Sequence, residues 1–397
     1  MTDFQEFTFL SSDGRTRLHG AQWAPADREP IAVLQIAHGV AEHILRYDGF
    51  ARYLNEQGIL VAGHDHLGHG KSLPEGAVPV YFGDGATWET VVDDIHLLHQ
   101  RLREQYPDLP ILLMGHSMGS FLSRSYLIRY PGTVDAAIIM GTGWQPEMTI
   151  RGGLLLAGIL SGLKGPDAVS KMVTNMAFGA YNKAFGDKPR TPNDWLSADT
   201  DNVDRYMADP LCGADATVGL FRQMLRGLRF NQTPGNIDRM DKNAPILLIA
   251  GQDDPVGDMG AGVRRTHDAF KRAGIKDVTL KLYPGLRHEI LNEAAMRDTV
   301  YGDIGAWMDR GLGERRDASR LGRPSRSTLW VRRSRRTVKK LSAVSTSSRA
   351  SPAPAGACRA MGCSRGCTCR RAKAVNGPHI TAKGTQTRRF RSMWVPE

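Results

Sequence analysis

Five short apolar runs constrain the fold of this chain more than any other feature: "IAVLQIA" (31–37), "ILVAG" (59–63), "ILLMG" (111–115), "AAIIMG" (136–141) and "ILLIAG" (246–251). None alternates with polar residues, so each reads as a strand buried on both faces, the condition of a parallel sheet. Helical patterns lie between them. Val91, Val92, Ile95, Leu98 and Leu102 recur at helical spacing before Pro107, and Phe121, Leu122, Ser125 and Tyr126 do so before Pro131. Such alternation predicts an α/β sheet with right-handed crossovers. Ahead of it, "FQEFTFLSSDGRTRLHGAQW" has two extended runs around a Ser-Asp-Gly turn and predicts an antiparallel hairpin on the sheet edge. With 41% hydrophobic residues, 397 residues suffice to bury a sizeable core.

The alternation stops after Gly141 and resumes at Ile246. We therefore expect a core of residues 1–141 and 244–310, interrupted by a helical insertion over 142–243 at the carboxyl end of the sheet, where open α/β folds bind ligands. Beyond Arg310 the composition changes. Residues 311–397 hold 21 Lys and Arg against 3 Asp and Glu, a charge of +18, so the whole-chain +11 leaves residues 1–310 at −7. A nucleic-acid partner is therefore not expected of the core. The tail, poor in large apolar residues, is expected to be disordered. It reads as sequence appended after a complete fold by readthrough or a shifted frame, with a nucleic-acid or membrane-binding arm as the alternative. Four of the five cysteines, Cys358, Cys363, Cys367 and Cys369, lie there without paired C-x-x-C spacing, which argues against zinc. The start "MTDFQEFTFLSS" lacks the basic, then apolar, pattern of a secretory signal, and "GGLLLAGIL" (152–160) is too short to span a bilayer, so the expectation is a cytoplasmic protein.

The run "PILLMG" leads into "GHSMGS" (115–120) and then into a helical pattern. Gly-x-Ser-x-Gly in this strand-turn-helix context puts Ser117 on a sharp turn, with Gly115 and Gly119 leaving room for close backbone approach. Glycine and serine are common, so a chance match is the alternative; the placement of strand and helix weighs against it. A serine hydroxyl needs a base, and the base needs an orienting acid. Asp253 and Asp254 follow the strand "ILLIAG", and His288 follows the strand in "LKLYPGLRHEILNE". His267 reads as a solvent-facing residue mid-helix and His379 lies in the tail, which leaves His288 as the base. An oxyanion needs two N–H donors: the Met118 amide directly after the serine, and the Val40 amide in "IAHGVAEH" after the first parallel strand.

Taken together, "HGVAEHILRYDGFARYLNEQGILVAGHDHLGHGKS", "GHSMGS", "ADPLCG", "AGQDDPV" and "YPGLRHEILNE" resemble the monoacylglycerol lipase and lysophospholipase branch of the α/β-hydrolases, over residues 5–310. The first string is the most specific. The resemblance implies an α/β-hydrolase fold, a mostly parallel eight-stranded sheet flanked by helices with a helical cap over 142–243 that shapes an acyl pocket. It also implies Asp254, not Asp253, as the acid. The activity implied is ester hydrolysis through a Ser117–Asp254–His288 triad and an acyl-enzyme, with no cofactor. Monoacylglycerols or lysophospholipids lead as substrates, and transient membrane contact through the cap would accompany them. A short-chain carboxylesterase, or a non-catalytic binding protein on this fold, is the alternative.

Two features carry competing readings. "HDHLGH" (64–69) has spacing that could gather imidazoles around zinc, but a zinc site of the H-x-H-x-D-H type expects aspartate where Gly68 stands. A structural loop, with Asp65 and the glycines setting turn geometry, is preferred. The runs "MTIRGGLLLAGILSGL" and "VGLFRQMLRGL" suit an acyl chain, and suit packing on the body equally well.

Overall fold

The computed structural model describes residues 2–320 apart from 178, 187 and 188, and the side chains of those residues except 176, 177 and 312–320. Eight strands form one sheet: β1 (Thr2–Leu10), β2 (Arg17–Pro25), β3 (Ala32–Ala37), β4 (Ile59–His64), β5 (Ile111–His116), β6 (Ala136–Met140), β7 (Ile246–Gly251) and β8 (Val278–Tyr283). Their order is β1-β2-β4-β3-β5-β6-β7-β8. The hairpin β1–β2 and the β2–β4 pair are antiparallel, and every pair from β4 to β8 is parallel. Every residue of β3, β4, β5, β6 and β7 is buried, as unbroken apolar runs require. Each fully buried Ile, Leu or Val there contributes about 1.5–3 kcal/mol.

Helices cover both faces: α1 (Asp48–Glu56), α2 (Trp88–Gln105), α3 (Met118–Arg129), α4 (Glu147–Lys164), α5 (Lys171–Ala177), α6 (Thr200–Ala208), α7 (Val218–Gln232), α8 (Pro234–Ile237), α9 (Ala261–Arg272) and α10 (Arg297–Arg320). α2 starts at a capping box in which Thr87 and Thr90 satisfy each other's backbone amides. From β3 the chain steps to β4 on one side and then returns past β3 to β5 on the other. The loops after β3 and β5 therefore leave the sheet in opposite directions from adjacent strands, opening the crevice in which ligands of such sheets bind.

Helices α4 to α8 fill the interval between β6 and β7, where sequence predicts no strand; a lone bridge between Val169 and Thr217 is the β-pairing described there. One of them does not stand apart from the body. Gly227 of α7 lies flat against the Trp88 ring of α2, where a Cβ would come within 2.2 Å, and Asn231 bonds to Ser125 Oγ (2.7 Å) and to the Phe121 carbonyl (2.7 Å) of α3. The apolar face of "VGLFRQMLRGL" is thus spent on packing against the body and α4.

The compositional break at Arg310 does not end the fold. α10 passes through it to Arg320. The helix is anchored by buried Val300, Ile304 and Met308, and beyond Gly311 and Gly313 it enters Glu314, Arg315, Arg316 and Ala318, residues that favour helix. The rest of the tail, with its cysteine cluster and His379, lies outside the described residues.

Candidate active site

Ser117 separates β5 from α3 with φ 54° and ψ −122°, a left-handed conformation that costs a residue with a side chain about 1–3 kcal/mol. Its neighbours explain how that turn is accommodated. A Cβ on Gly115 would meet the Gly119 carbonyl at 2.2 Å, and one on Gly119 would meet the Ala37 carbonyl at 2.0 Å. The turn is held by the Ser117 amide, which donates to the Met140 carbonyl (3.0 Å), and by Ser120 Oγ, which donates to the Ser117 carbonyl (2.6 Å). Met118 opens α3, so its amide has no carbonyl of the same helix to bond.

The loop after β3 abuts this turn. Gly39 is so close that a Cβ there would lie 3.0 Å from Ser117 Cβ. Val40 follows, and Ala41 has φ 51°. The Glu42 carboxylate turns back to accept the Gly39 amide, which fixes the loop's path.

Across the crevice, the loops after β7 and β8 bring Asp254 and His288 together. Asp254 Oδ2 lies 2.9 Å from His288 Nδ1, both side chains are buried, and the other Asp254 oxygen accepts the Val256 amide at 2.9 Å. Asp253, the other candidate from sequence, is half-buried and does not face the imidazole; its amide donates to the Leu286 carbonyl. His288 Nε2 is buried and has no hydrogen-bond partner among the described residues. The Trp195 ring packs 5.1 Å from the His288 ring and the His116 ring 4.7 Å from it. Gly141, at φ 59°, makes room for both imidazoles, since a Cβ there would lie 3.1 Å from each.

Ser117, His288, Gly39, Val40, Trp195 and Tyr206 line a common cavity of about 190 Å³. An imidazole oriented by a carboxylate on one nitrogen and free on the other, in a cavity shared with a serine, can accept that serine's proton. The structure therefore brings Ser117, Val40 and His288 to one cavity, seats Asp254 directly behind the base, and places Met118 at the adjoining helix start. The two apolar runs 148–163 and 218–228 do not line it. Its far wall comes from 174–175, 179, 192–193, 195–196, 206 and 213–215 instead.

The histidine-rich loop after β4 is a buried scaffold. Asp65 accepts from the Ile44 and Lys71 amides (2.8 Å each) and faces His19 Nδ1 at 2.8 Å, while Gly68 and Gly70 take φ 72° and 48°. A Cβ on Gly68 would fall 1.9 Å from the Tyr81 carbonyl, which is why aspartate does not stand there. Its histidines do not converge as ligands. Among the described residues, the group whose donor atoms approach within 4.8 Å of one another is His43, Asp209 and Cys212, and two of these are joined by a 2.8 Å His43–Asp209 hydrogen bond.

Sequence reasoning left one part of this region unassigned. Glu42, Arg46, His116 and Glu289 form a buried polar network in the cavity wall, with Glu42, His116 and Glu289 on the lining and Arg46 behind them: Arg46 bonds Glu42 at 2.9 Å and Glu289 at 2.6 and 2.8 Å. Glu42 and His116 sit inside the motifs read for other residues, but nothing in the sequence pairs position 46 with position 289.

Comparison with known proteins agrees with this architecture. Residues 28–295 match the family model Hydrolase_4, described as serine aminopeptidase, S33. A monoacylglycerol lipase of Mycolicibacterium smegmatis is 30% identical, the match covering 74% of this chain and 94% of that protein. The Mus musculus monoglyceride lipase is 28% identical over 78% of this chain and 92% of its own. A thermostable carboxyl esterase of Bacillus coagulans, solved in complex with glycerol, superposes with a TM-score of 0.73 at 30% identity, covering 79% of this chain and 100% of that one.

Proposed function

The chain is a serine ester hydrolase belonging to the serine aminopeptidase S33 family of α/β-hydrolases, which takes in the monoacylglycerol lipases, and on that premise we propose that it cleaves monoacylglycerols through a triad of Ser117, Asp254 and His288. The observation that carries the reading is the buried Asp254–His288 pair, 2.9 Å apart, whose free Nε2 belongs to a ring on the same cavity as the strained Ser117. In this mechanism His288 takes the Ser117 proton as the hydroxyl oxygen attacks the ester carbonyl. The amides of Val40 and Met118 stabilise the oxyanion, and Asp254 holds the imidazole tautomer and stabilises the imidazolium. His288 then protonates the departing glycerol oxygen. Water enters, gives its proton to His288, and the same steps release the fatty acid and restore the serine.

Lysophospholipids are the second substrate class on this reading. The apolar row on α4, with Met148, Leu155, Ile159 and Leu163 all exposed, would rest on a lipid surface while the ester enters the cavity. No described helix is long and apolar enough to cross a membrane. A short-chain carboxylesterase is the competing reading, and the modest cavity of about 190 Å³ favours it. A fluorophosphonate probe and an ester panel separate these. Labelling lost in Ser117→Ala supports the triad, and labelling retained in that variant removes it. A kcat/KM that rises from butyryl to oleoyl glycerol supports the lipase, and one that falls along the series supports the esterase.

A further inference from the structure

His116 is buried beside the nucleophile, and both of its ring nitrogens face acceptors. Nδ1 lies 3.2 Å from Glu42 Oε1, and Nε2 lies 3.3 Å from the backbone carbonyl of His288. A neutral imidazole has one N–H and one lone pair. Either neutral tautomer would turn its lone pair onto an oxygen at a buried position, whereas an imidazolium donates at both ends. Moving the proton to Glu42 does not remove the conflict. That carboxylate already accepts from the Gly39 amide, from Tyr47 Oη at 3.0 Å and from the Arg46 guanidinium at 2.9 Å, so it is held as the anion.

We propose that His116 is an imidazolium clamp, a positioning residue that ties the oxyanion loop, through Glu42, to the backbone of the catalytic base. A second tie runs parallel to it: Arg46 joins Glu42 to Glu289, the residue after His288. The clamp thus consists of two cations and two anions, each buried charge with a partner of opposite sign. It rests on the reading of His288 as the base.

The surroundings agree with this charge state. Burial works against a charge on His116, but the hydrogen bond and charge of Glu42 outweigh it and hold its pKa above the ordinary imidazole value. Burial likewise works against ionised Glu42, and the hydrogen bond and charge of His116 with the charge of Arg46 hold it well below the ordinary carboxyl value. The groups facing the clamp are Glu42, Arg46 and Tyr47 from the segment after β3, His38 at the end of that strand, His288 and Glu289 from the loop after β8, Tyr206 of α6, whose ring lies 4.9 Å from the Arg46 guanidinium, and Cys212 beyond α6. Asp254 lies beyond His288. Because the folded pKa of His116 is raised, the clamp is intact below it and is lost as pH rises through it.

The direct test is 15N NMR of the full chain labelled at histidine nitrogens, with His116 assigned through its backbone. Two protonated ring nitrogens at pH 7.5 support the clamp; a nitrogen bearing a lone pair at that pH overturns it. Glu42→Gln removes the counter-charge. The clamp requires that His116 then become neutral and that kcat fall by about 10- to 100-fold with KM nearly unchanged, because the tie positions the base and the oxyanion donor while glutamine keeps the volume of the Glu42 side chain on the cavity wall. Unchanged kcat in Glu42→Gln overturns the positioning role. The NMR signature does not depend on turnover, so loss of the triad reading, through an active Ser117→Ala enzyme, is distinguishable from loss of the clamp.

Discussion

Two groups of buried histidines lie at the carboxyl end of this sheet, and they differ in what faces their nitrogens. Around the loop after β4, His38, His64, His66 and His69 pack on one another in tilted and edge-to-face pairs, with ring centroids of His38 and His66 4.2 Å apart and those of His64 and His66 5.1 Å apart. Both nitrogens of His64 lack a hydrogen-bond partner among the described residues. Burial pushes the pKa of His64 down to about 3 and that of His69 to about 4, so these rings are neutral packing units. At the cavity, His288 and His116 each have a carboxylate within hydrogen-bond reach, Asp254 and Glu42. The same side chain is scaffold in one place and chemistry in the other. Between these two groups the difference is a carboxylate within hydrogen-bond reach of the ring, which favours the imidazolium over the neutral imidazole.

The contrast breaks most directly at the proposed nucleophile. Ser117→Ala should lower kcat by about 10⁴- to 10⁶-fold while leaving the thermal transition within a few degrees, measured with a chromogenic ester and calorimetry. A comparable loss on altering the β4 loop histidines, in protein that remains folded, would falsify the division drawn here. Next in size, Asp254→Asn should cost about 10⁴ in kcat by releasing the wrong imidazole tautomer. Asp253→Asn, whose side chain does not face the ring, should stay within about twofold of wild type. Equal losses at the two positions would show that the 2.9 Å contact does not orient the base.

A smaller effect is expected at Gly141. A methyl group there meets His116 and His288 at 3.1 Å and sits on a backbone at φ 59°, so Gly141→Ala should lower kcat by about 10- to 100-fold through displacement of the base, with little change in KM. A rise in KM alone would mean that the ring position is not what Gly141 protects.

The fourth expectation sharpens the comparison from the other side. His64 is neutral in the fold down to about pH 3, but titrates near 6.5 once unfolded, so between those values the unfolded chain binds more protons. Stability is therefore retained above about pH 6.5 and falls as the pH drops toward 3, by about 1.4 kcal/mol per pH unit for each such histidine. His64→Phe, which replaces an unpaired polar ring with an apolar one, should leave turnover unchanged and lessen the fall between pH 6.5 and 5 by roughly 2 kcal/mol in urea denaturation. An unchanged pH slope would mean that His64 finds a proton partner in the fold.

Most of the sheet was legible from composition of short segments. β3, β4, β5, β6 and β7 are buried on both faces, and only unbroken apolar runs satisfy that environment, so their positions follow from pattern alone. β8 is partly exposed and was found through the residues after it rather than by its own run. Helix α7 shows the limit. Its apolar face is compatible with a lipid chain and with Trp88, and periodicity does not distinguish them.

What the sequence by itself determined is local: the buried strands, the Gly-x-Ser-x-Gly turn at Ser117, the chain order of serine, acid and base, and the glycines without which the turn at 115–119 has no room. Those follow from residue type and spacing over a few positions. Residue type and spacing left both Asp253 and Asp254 open, and the family resemblance singled out Asp254, the one that meets His288. Only the tertiary structure decided where α7 spends its apolar face, and that Arg46 joins Glu42 to a glutamate 243 residues away in sequence from itself. These are matters of distance between segments that no local preference encodes, set by how the sheet order brings the loops after β3, β5, β7 and β8 to one end.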